Sequence, residues 1–186
     1  MYKKTKRSRI YCKKTPCPIN KTKIKKEIKK ESKIQEGVTA GFINNALKLF
    51  PNFLGCFAQD QLKHLIIRSL PVSLIVNFDY SSSKGSHWVA IRIDRKRLEI
   101  FDPLGFNVRR WPNIPIYLID FLHKFAIHRR VLISREIQPQ RSSLCGFYCI
   151  FFIYFRIFNS FADCTNIFSI NLYKNDYILT DFFNKL

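Results

Sequence analysis

The chain has 186 residues, enough for one domain of ordinary size and too few for two with separate cores. It holds 32 Lys and Arg against 13 Asp and Glu, a formal charge of +19, a balance for which nucleic acid or another polyanion is the expected partner. With 47% hydrophobic and 15% aromatic residues, a wholly disordered chain is excluded.

The charge is unevenly spread. Residues 1–36 carry 14 Lys and Arg against 3 Glu, and residues 37–186 carry 18 against 10. The first segment contains Pro16 and Pro18 and few large apolar residues, so it cannot bury enough surface to offset its ordering entropy. It is expected to be a basic disordered tail, followed by one folded domain over 37–186. Within it, Lys21 to Lys33 has Ile24 and Ile28 one turn apart and would form a basic helix on a phosphate backbone. Its clusters also have the composition of a nuclear localisation signal, and a solvated tail with no partner is the alternative.

Six cysteines, at 12, 17, 56, 145, 149 and 164, follow a Lys-rich start with no apolar h-region, which points to a reducing intracellular compartment and not to secretion. They lack the paired spacing of a zinc site, so no metal is expected. The longest apolar run, Phe147 to Phe155, is nine residues, far short of the ~20 that a membrane span needs.

In chain order, Phe42, Ala46, Leu49 and Phe50 predict a short helix closed by Pro51. Leu62, Leu65, Ile66 and Leu70 predict a second helix over Gln59 to Leu70, ended by Pro71. The period then switches to strands: Val72 to Phe78, Trp88 to Ile93 and Leu98 to Phe101, the last two joined as a hairpin by Asp94-Arg95-Lys96-Arg97. Ile116 to Ile127 reads as a helix, Val131 to Ile137 as a strand ending beside Gln138, and Gly146 to Phe158 as a central buried helix. Leu172 to Leu186 shows no clear period.

The hairpin brings two polar residues together. If Asp94 pairs with Arg97, His87, Val89, Ile91 and Ile93 share one face with Leu98, Ile100, Asp102 and Leu104, and that face is apolar apart from His87 and Asp102. As diagonal neighbours at the hairpin's end, ~7–8 Å apart at the backbone, the two can join imidazole to carboxylate, as a general base requires. The alternative is that both cap strand ends in contact with water. Cys145 stands between the polar Ser142-Ser143 loop and the apolar helix, where the helix dipole and a nearby imidazole favour the thiolate. Gly146 lets the backbone approach a ligand. Upstream, Gln138 can aim an amide N–H at the oxygen of a tetrahedral intermediate, with the Cys145 backbone N–H as second donor. Cys56, Cys149 and Cys164 read as core, and His64, His123 and His128 as solvated.

The ordered set His87-Trp88, Phe101-Asp102-Pro103-Leu104-Gly105-Phe106, Gln138 and Cys145-Gly146, opened by Phe53-Leu54-Gly55-Cys56-Phe57, resembles the adenovirus protease (adenain) family and its relatives in virus-like DNA transposons. More distantly it is similar to the proteases that process ubiquitin-like modifiers. The resemblance implies an α+β, papain-like cysteine endopeptidase with a mixed or antiparallel sheet packed on a central buried helix. It implies His87 as general base, Asp102 orienting it, Cys145 as nucleophile, Gln138 in the oxyanion hole and Trp88 walling the substrate cleft.

Two departures qualify the likeness. The adenoviral members carry Glu where this chain has Asp102, and no cysteine occurs between Cys56 and Cys145 to form the activating disulfide of the adenoviral enzyme. No cofactor is implied beyond DNA as an activator, contacted through the basic tail and body. The expected partners are protein substrates, capsid or other virion precursors cut after small residues such as Gly, met by a monomer in the virion or host nucleus, with no membrane. The alternatives are a hydrolase of ubiquitin-type modifiers and a non-catalytic basic DNA-binding protein.

Overall fold

The computed structural model describes residues 37–106 and 114–185. The expected tail, its basic helix, Cys12 and Cys17 lie outside the described residues.

Helix α1 (Ala40–Leu47) starts where Thr39 Oγ1 accepts the Phe42 N–H at 3.2 Å, and it buries Phe42, Ile43, Ala46 and Leu47. Of the expected stripe, Phe42, Ala46 and Phe50 are buried, but the helix ends before Leu49, which is 53% exposed. Strand β1 (Phe53–Ala58) follows and pairs in parallel with β2 (Val72–Asn77). The sequence pattern gave no sign of β1. The helix expected over Gln59 to Leu70 is a single 3-10 segment, Gln59–His64, and the chain turns extended at Leu65. Beyond that point Leu65 and Ile67 pack inward while Ile66 is 74% exposed, so the apolar residues follow period two and not the helical period.

Strands β3 (Trp88–Ile93) and β4 (Arg97–Phe101) form the predicted hairpin in the predicted register, with Ala90 opposite Phe101 and Ile93 opposite Leu98. Its turn is fixed by Asp94 Oδ1, which accepts the Lys96 and Arg97 N–H groups at 2.8 and 2.7 Å. Strand β5 (Arg130–Ile133) joins β4 in parallel, ending four residues before the expected limit. The sheet is mixed, in the order β1-β2-β3-β4-β5.

Both faces of the sheet are covered. Helix α2 (Ile116–Ala126) lays Leu118, Phe121 and Leu122 on the face formed by Leu74, Val76, Val89, Ile91, Ile93, Leu98 and Ile100. The opposite face packs Ile75, Ala90 and Phe101 against α3 (Cys145–Phe155), every residue of which is buried. Phe147, Phe151 and Phe152 are all but completely enclosed, each worth about 1.5–3 kcal/mol relative to exposure, and Phe152 stacks on Phe101 at 4.6 Å.

The end of α3 is tied to the sheet by charge. Arg156 Nε and Nη2 each donate at 2.8 Å to the Glu99 carboxylate, buried under β4, so α3 runs antiparallel to β4 and its start lies where β4 ends. Two helices absent from the sequence reading close the far side: α4 (Phe161–Asn166) and α5 (Asn175–Lys185), which buries Leu179 and Phe183. Ring contacts of Phe147 with Phe183 and of Phe151 with Phe182 join α5 to α3. The α+β architecture and the buried central helix are those expected. No helix among the described residues is long and apolar enough to cross a membrane.

Candidate active site

The β2–β3 ladder continues past its formal end through Phe78 N–H to the His87 carbonyl at 3.0 Å, which holds His87 just before β3. Across the hairpin, Asp102 follows β4. Its backbone N–H donates to Ser134 Oγ at 2.9 Å, and that hydroxyl donates back to the Asp102 carbonyl at 2.7 Å. Asp102 has no exposed surface, and its Oδ1 accepts both from His87 Nε2 at 2.8 Å and from the Leu104 N–H at 2.9 Å. The second bond is an Asx turn: Pro103 and Leu104 occupy the corner, Gly105 closes it by donating to the Asp102 carbonyl at 3.0 Å, and the carboxylate is oriented by its own loop. Gly105 sits at φ +80, where a Cβ would lie 3.0 Å from the Glu136 nitrogen, so glycine is required there.

Besides the bond from Nε2 to Asp102, the imidazole of His87 interacts with the Cys145 thiol. Burial alone would lower the imidazole's pKa. The hydrogen bonds to Asp102 and Cys145, with the charges of both, outweigh that and carry it from an ordinary 6.5 to about 9. The Phe78 ring stands edge-on to the imidazole at 5.0 Å and shields it from water.

Cys145 is the first residue of α3 and is almost fully buried. Gly146 beside it admits no side chain: a Cβ would come within 2.2 Å of Val38 Cγ2 and 3.2 Å of Trp88 Cδ1. Trp88 is half-buried next to His87, its indole N–H donating to the Val38 carbonyl at 3.1 Å and its own carbonyl accepting from Cys149 Sγ at 3.3 Å. The indole is thus pinned against the turn of α3 that carries Cys145.

Gln138 does not end a strand. It lies five residues beyond β5, where Ile137 N–H and Gln138 N–H both donate to the Pro103 carbonyl, at 2.9 and 2.8 Å. The loop with Gln138 is therefore fastened to the turn with Asp102. The side chain is buried, Nε2 donates one hydrogen to the Ser142 carbonyl at 2.6 Å, and Oε1 has no partner among the described residues. An orphaned buried amide oxygen is costly, which marks a side chain placed at some expense of stability.

The structure thus gathers Cys145, His87 and Asp102 into one hydrogen-bonded row, with Trp88 at its side and Gln138 on the loop that leads into Cys145. The other cysteines among the described residues are apart from this chemistry. Burial pushes the thiols of Cys56 and Cys164 up to about 12 and that of Cys149 well above its ordinary range, as inert core thiols require. His64, His123 and His128 are exposed. Sequence reasoning missed Ser134, whose only signal was a hydroxyl closing an apolar strand, and Tyr148, Asn175 and Asp176, which support the Gln138 loop.

The family model for adenovirus endoprotease matches residues 53–174, a span that contains His87, Trp88, Asp102, Gln138 and Cys145. The protease of bovine adenovirus 4 is 28% identical over 163 residues, covering 75% of this chain and 81% of that one. Among solved structures, the ASFV pS273R protease is 19% identical with a TM-score of 0.48, covering 80% of this chain and 67% of that one. ChlaDub1 from Chlamydia trachomatis is 14% identical with a TM-score of 0.46, covering 93% of each. The chain belongs to the adenovirus endoprotease family and is a cysteine-type peptidase.

Proposed function

We propose that the protein is an endopeptidase that cleaves viral capsid or other virion precursors, with Cys145 as nucleophile, His87 as general acid and base, Asp102 as its orienting carboxylate and Gln138 in the oxyanion hole. One observation carries this: a single buried imidazole that is hydrogen-bonded to Asp102 and also interacts with Cys145.

An imidazole that stays protonated through neutral pH supports a thiolate beside it. The Cys145 sulfur attacks the scissile carbonyl, forming a C–S bond while the carbonyl oxygen takes the negative charge. The second Nε2 hydrogen of Gln138 and the Cys145 backbone N–H receive that charge. Collapse expels the amine, which takes its proton from His87, and leaves a thioester. His87 then takes a proton from a water whose oxygen adds to the thioester carbon, and the C–S bond breaks, releasing the carboxylic acid and returning the Cys145 sulfur beside the protonated imidazole. Trp88 walls the cleft beside the base. DNA is the proposed activator, bound through residues 1–36 and the basic body, and the setting is the virion or the infected cell.

The test incubates the full chain and its Cys145→Ala variant with denatured capsid protein and with a modifier conjugate such as a ubiquitin fusion, with and without DNA, and maps new N-termini. Internal cleavage after small residues by the wild type alone is expected. Cleavage by Cys145→Ala overturns the assignment of the nucleophile, and cutting confined to the modifier junction replaces virion precursors as the substrate class.

A further inference from the structure

We propose that Asn175 and Asp176, the first two residues of α5, are positioning residues that hold the loop from Ile137 to Leu144 in the geometry that aims Gln138 and the Cys145 N–H at one oxygen. This rests on the assignment of Gln138 as an oxyanion donor.

The carboxamide of Asn175 is completely buried and completely used. Nδ2 donates to the Ile137 carbonyl at 2.7 Å and to the Ser169 carbonyl at 3.0 Å, and Oδ1 accepts the Ser169 N–H at 2.7 Å. The residue immediately before Gln138 is thereby tied to α5 at one point. Asp176 ties the other end. Its Oδ1 accepts from Ser142 Oγ at 3.1 Å and from the Tyr148 hydroxyl at 2.9 Å. Ser142 is the residue whose carbonyl takes the Gln138 Nε2 hydrogen, and its Oγ accepts the Leu144 N–H at 3.2 Å. Tyr148 is fully buried in α3, three residues after Cys145.

Each group has its donor and acceptor roles assigned without conflict. Asp176 accepts twice, and Ser142 donates to it while accepting from Leu144. A partly buried polar network closed in this way fixes the geometry of the loop. Both approaches to the oxyanion site, the Gln138 amide and the backbone entering Cys145, lead back to the same two-residue step. A donor displaced by about 1 Å costs on the order of 100-fold in rate, so this fastening sets turnover without touching the thiol and imidazole.

Two probes separate the parts of the site in the full-length protein. Iodoacetamide alkylates sulfur directly and reads Cys145 and His87 alone. Acetyl-glycyl-glycinal adds the thiol sulfur to its aldehyde carbon, opening the C=O bond to a hemithioacetal whose oxygen accepts the thiol proton or remains charged in the oxyanion hole.

Asp176→Ala is expected to weaken the aldehyde about 10- to 100-fold while the iodoacetamide rate stays at the wild-type value. Asp176→Asn, which keeps an acceptor oxygen, is expected to recover wild-type affinity. If Asp176→Ala does not fold, Tyr148→Phe combined with Ser142→Ala removes the same two bonds, together with the Leu144 N–H bond to Ser142 Oγ, at nearly constant volume and serves in its place. Unchanged aldehyde affinity in a folded variant overturns the positioning role. So does a parallel loss of iodoacetamide reactivity, which would mean damage to the whole site. Wild-type protein whose Cys145 is alkylated no faster than its other cysteines overturns the assignment of the site itself, and that result is read before any variant is made.

Discussion

His87 Nε2 and Asp102 Oδ1 meet at 2.8 Å although they leave from the ends of two different strands, 15 residues apart. The hairpin register makes them diagonal neighbours, and the Asx turn at Asp102 to Leu104 then holds the carboxylate in place. The carboxylate belongs as much to its turn as to the histidine, and that shapes the first expectation.

Asp102→Asn removes the charge and keeps the acceptor oxygen for Leu104. The turn should persist, while the imidazole loses the first of the two partners that raise its pKa. Activity is expected to fall by several orders of magnitude with a far smaller loss of stability, as steady-state kinetics and thermal melts on one preparation will show.

The same pair gives stability a pH dependence. The pKa of His87 is higher in the fold, about 9, than its ordinary 6.5. The protonated ring therefore stabilises the fold fully below pH 6.5, and this contribution is lost as the pH rises through about 9. The shift corresponds to about 3 kcal/mol. Urea midpoints should fall between about pH 6 and pH 9.5 by more in the wild type than in His87→Ala. Equal slopes would remove His87 as the source.

Gly146→Ala places a methyl group 2.2 Å from Val38 Cγ2, beside Cys145. A loss of about 1–3 kcal/mol is expected, with slower alkylation of Cys145. Val38→Ala removes the obstructing carbon and should return part of that loss in the double variant, a coupling that a double-mutant cycle measures directly.

Glu99→Ala leaves the Arg156 guanidinium without its carboxylate partner under the sheet. Unfolding by denaturant should show a loss of about 3–5 kcal/mol. Because the pair anchors the end of α3 remote from Cys145, the alkylation rate of the folded fraction should not change.

Much of this was legible in the sequence because two local rules agreed. Alternation over His87 to Ile93 and Leu98 to Leu104, with Asp94 as the turn residue, fixes the register that joins His87 to Asp102. The unbroken apolar run after Cys145 fixes the buried helix. Other elements were hidden by tertiary demands. Leu62, Leu65 and Ile66 imitate a helical stripe, but the chain must travel from Leu62 to the start of β2, and it does so extended. In α5, residues 175, 178, 179, 182 and 183 form a helical stripe that begins with a polar residue, the buried Asn175, and surrounds the exposed Tyr177, so the period was obscured. The partners of Gln138 were illegible for a simpler reason: Pro103, Ser142 and Asn175 meet only once the sheet and α5 are assembled.

The most direct test of the central claim is alkylation of the native full-length protein by iodoacetamide from about pH 5 to pH 9, with each modified cysteine located by mass spectrometry. Cys145 should react selectively at about pH 6, well below the ordinary thiol range, and lose that reactivity in His87→Ala. Cys145 reacting no faster than Cys12 and Cys17, or equally fast without His87, would contradict a poised thiolate and imidazolium at this site.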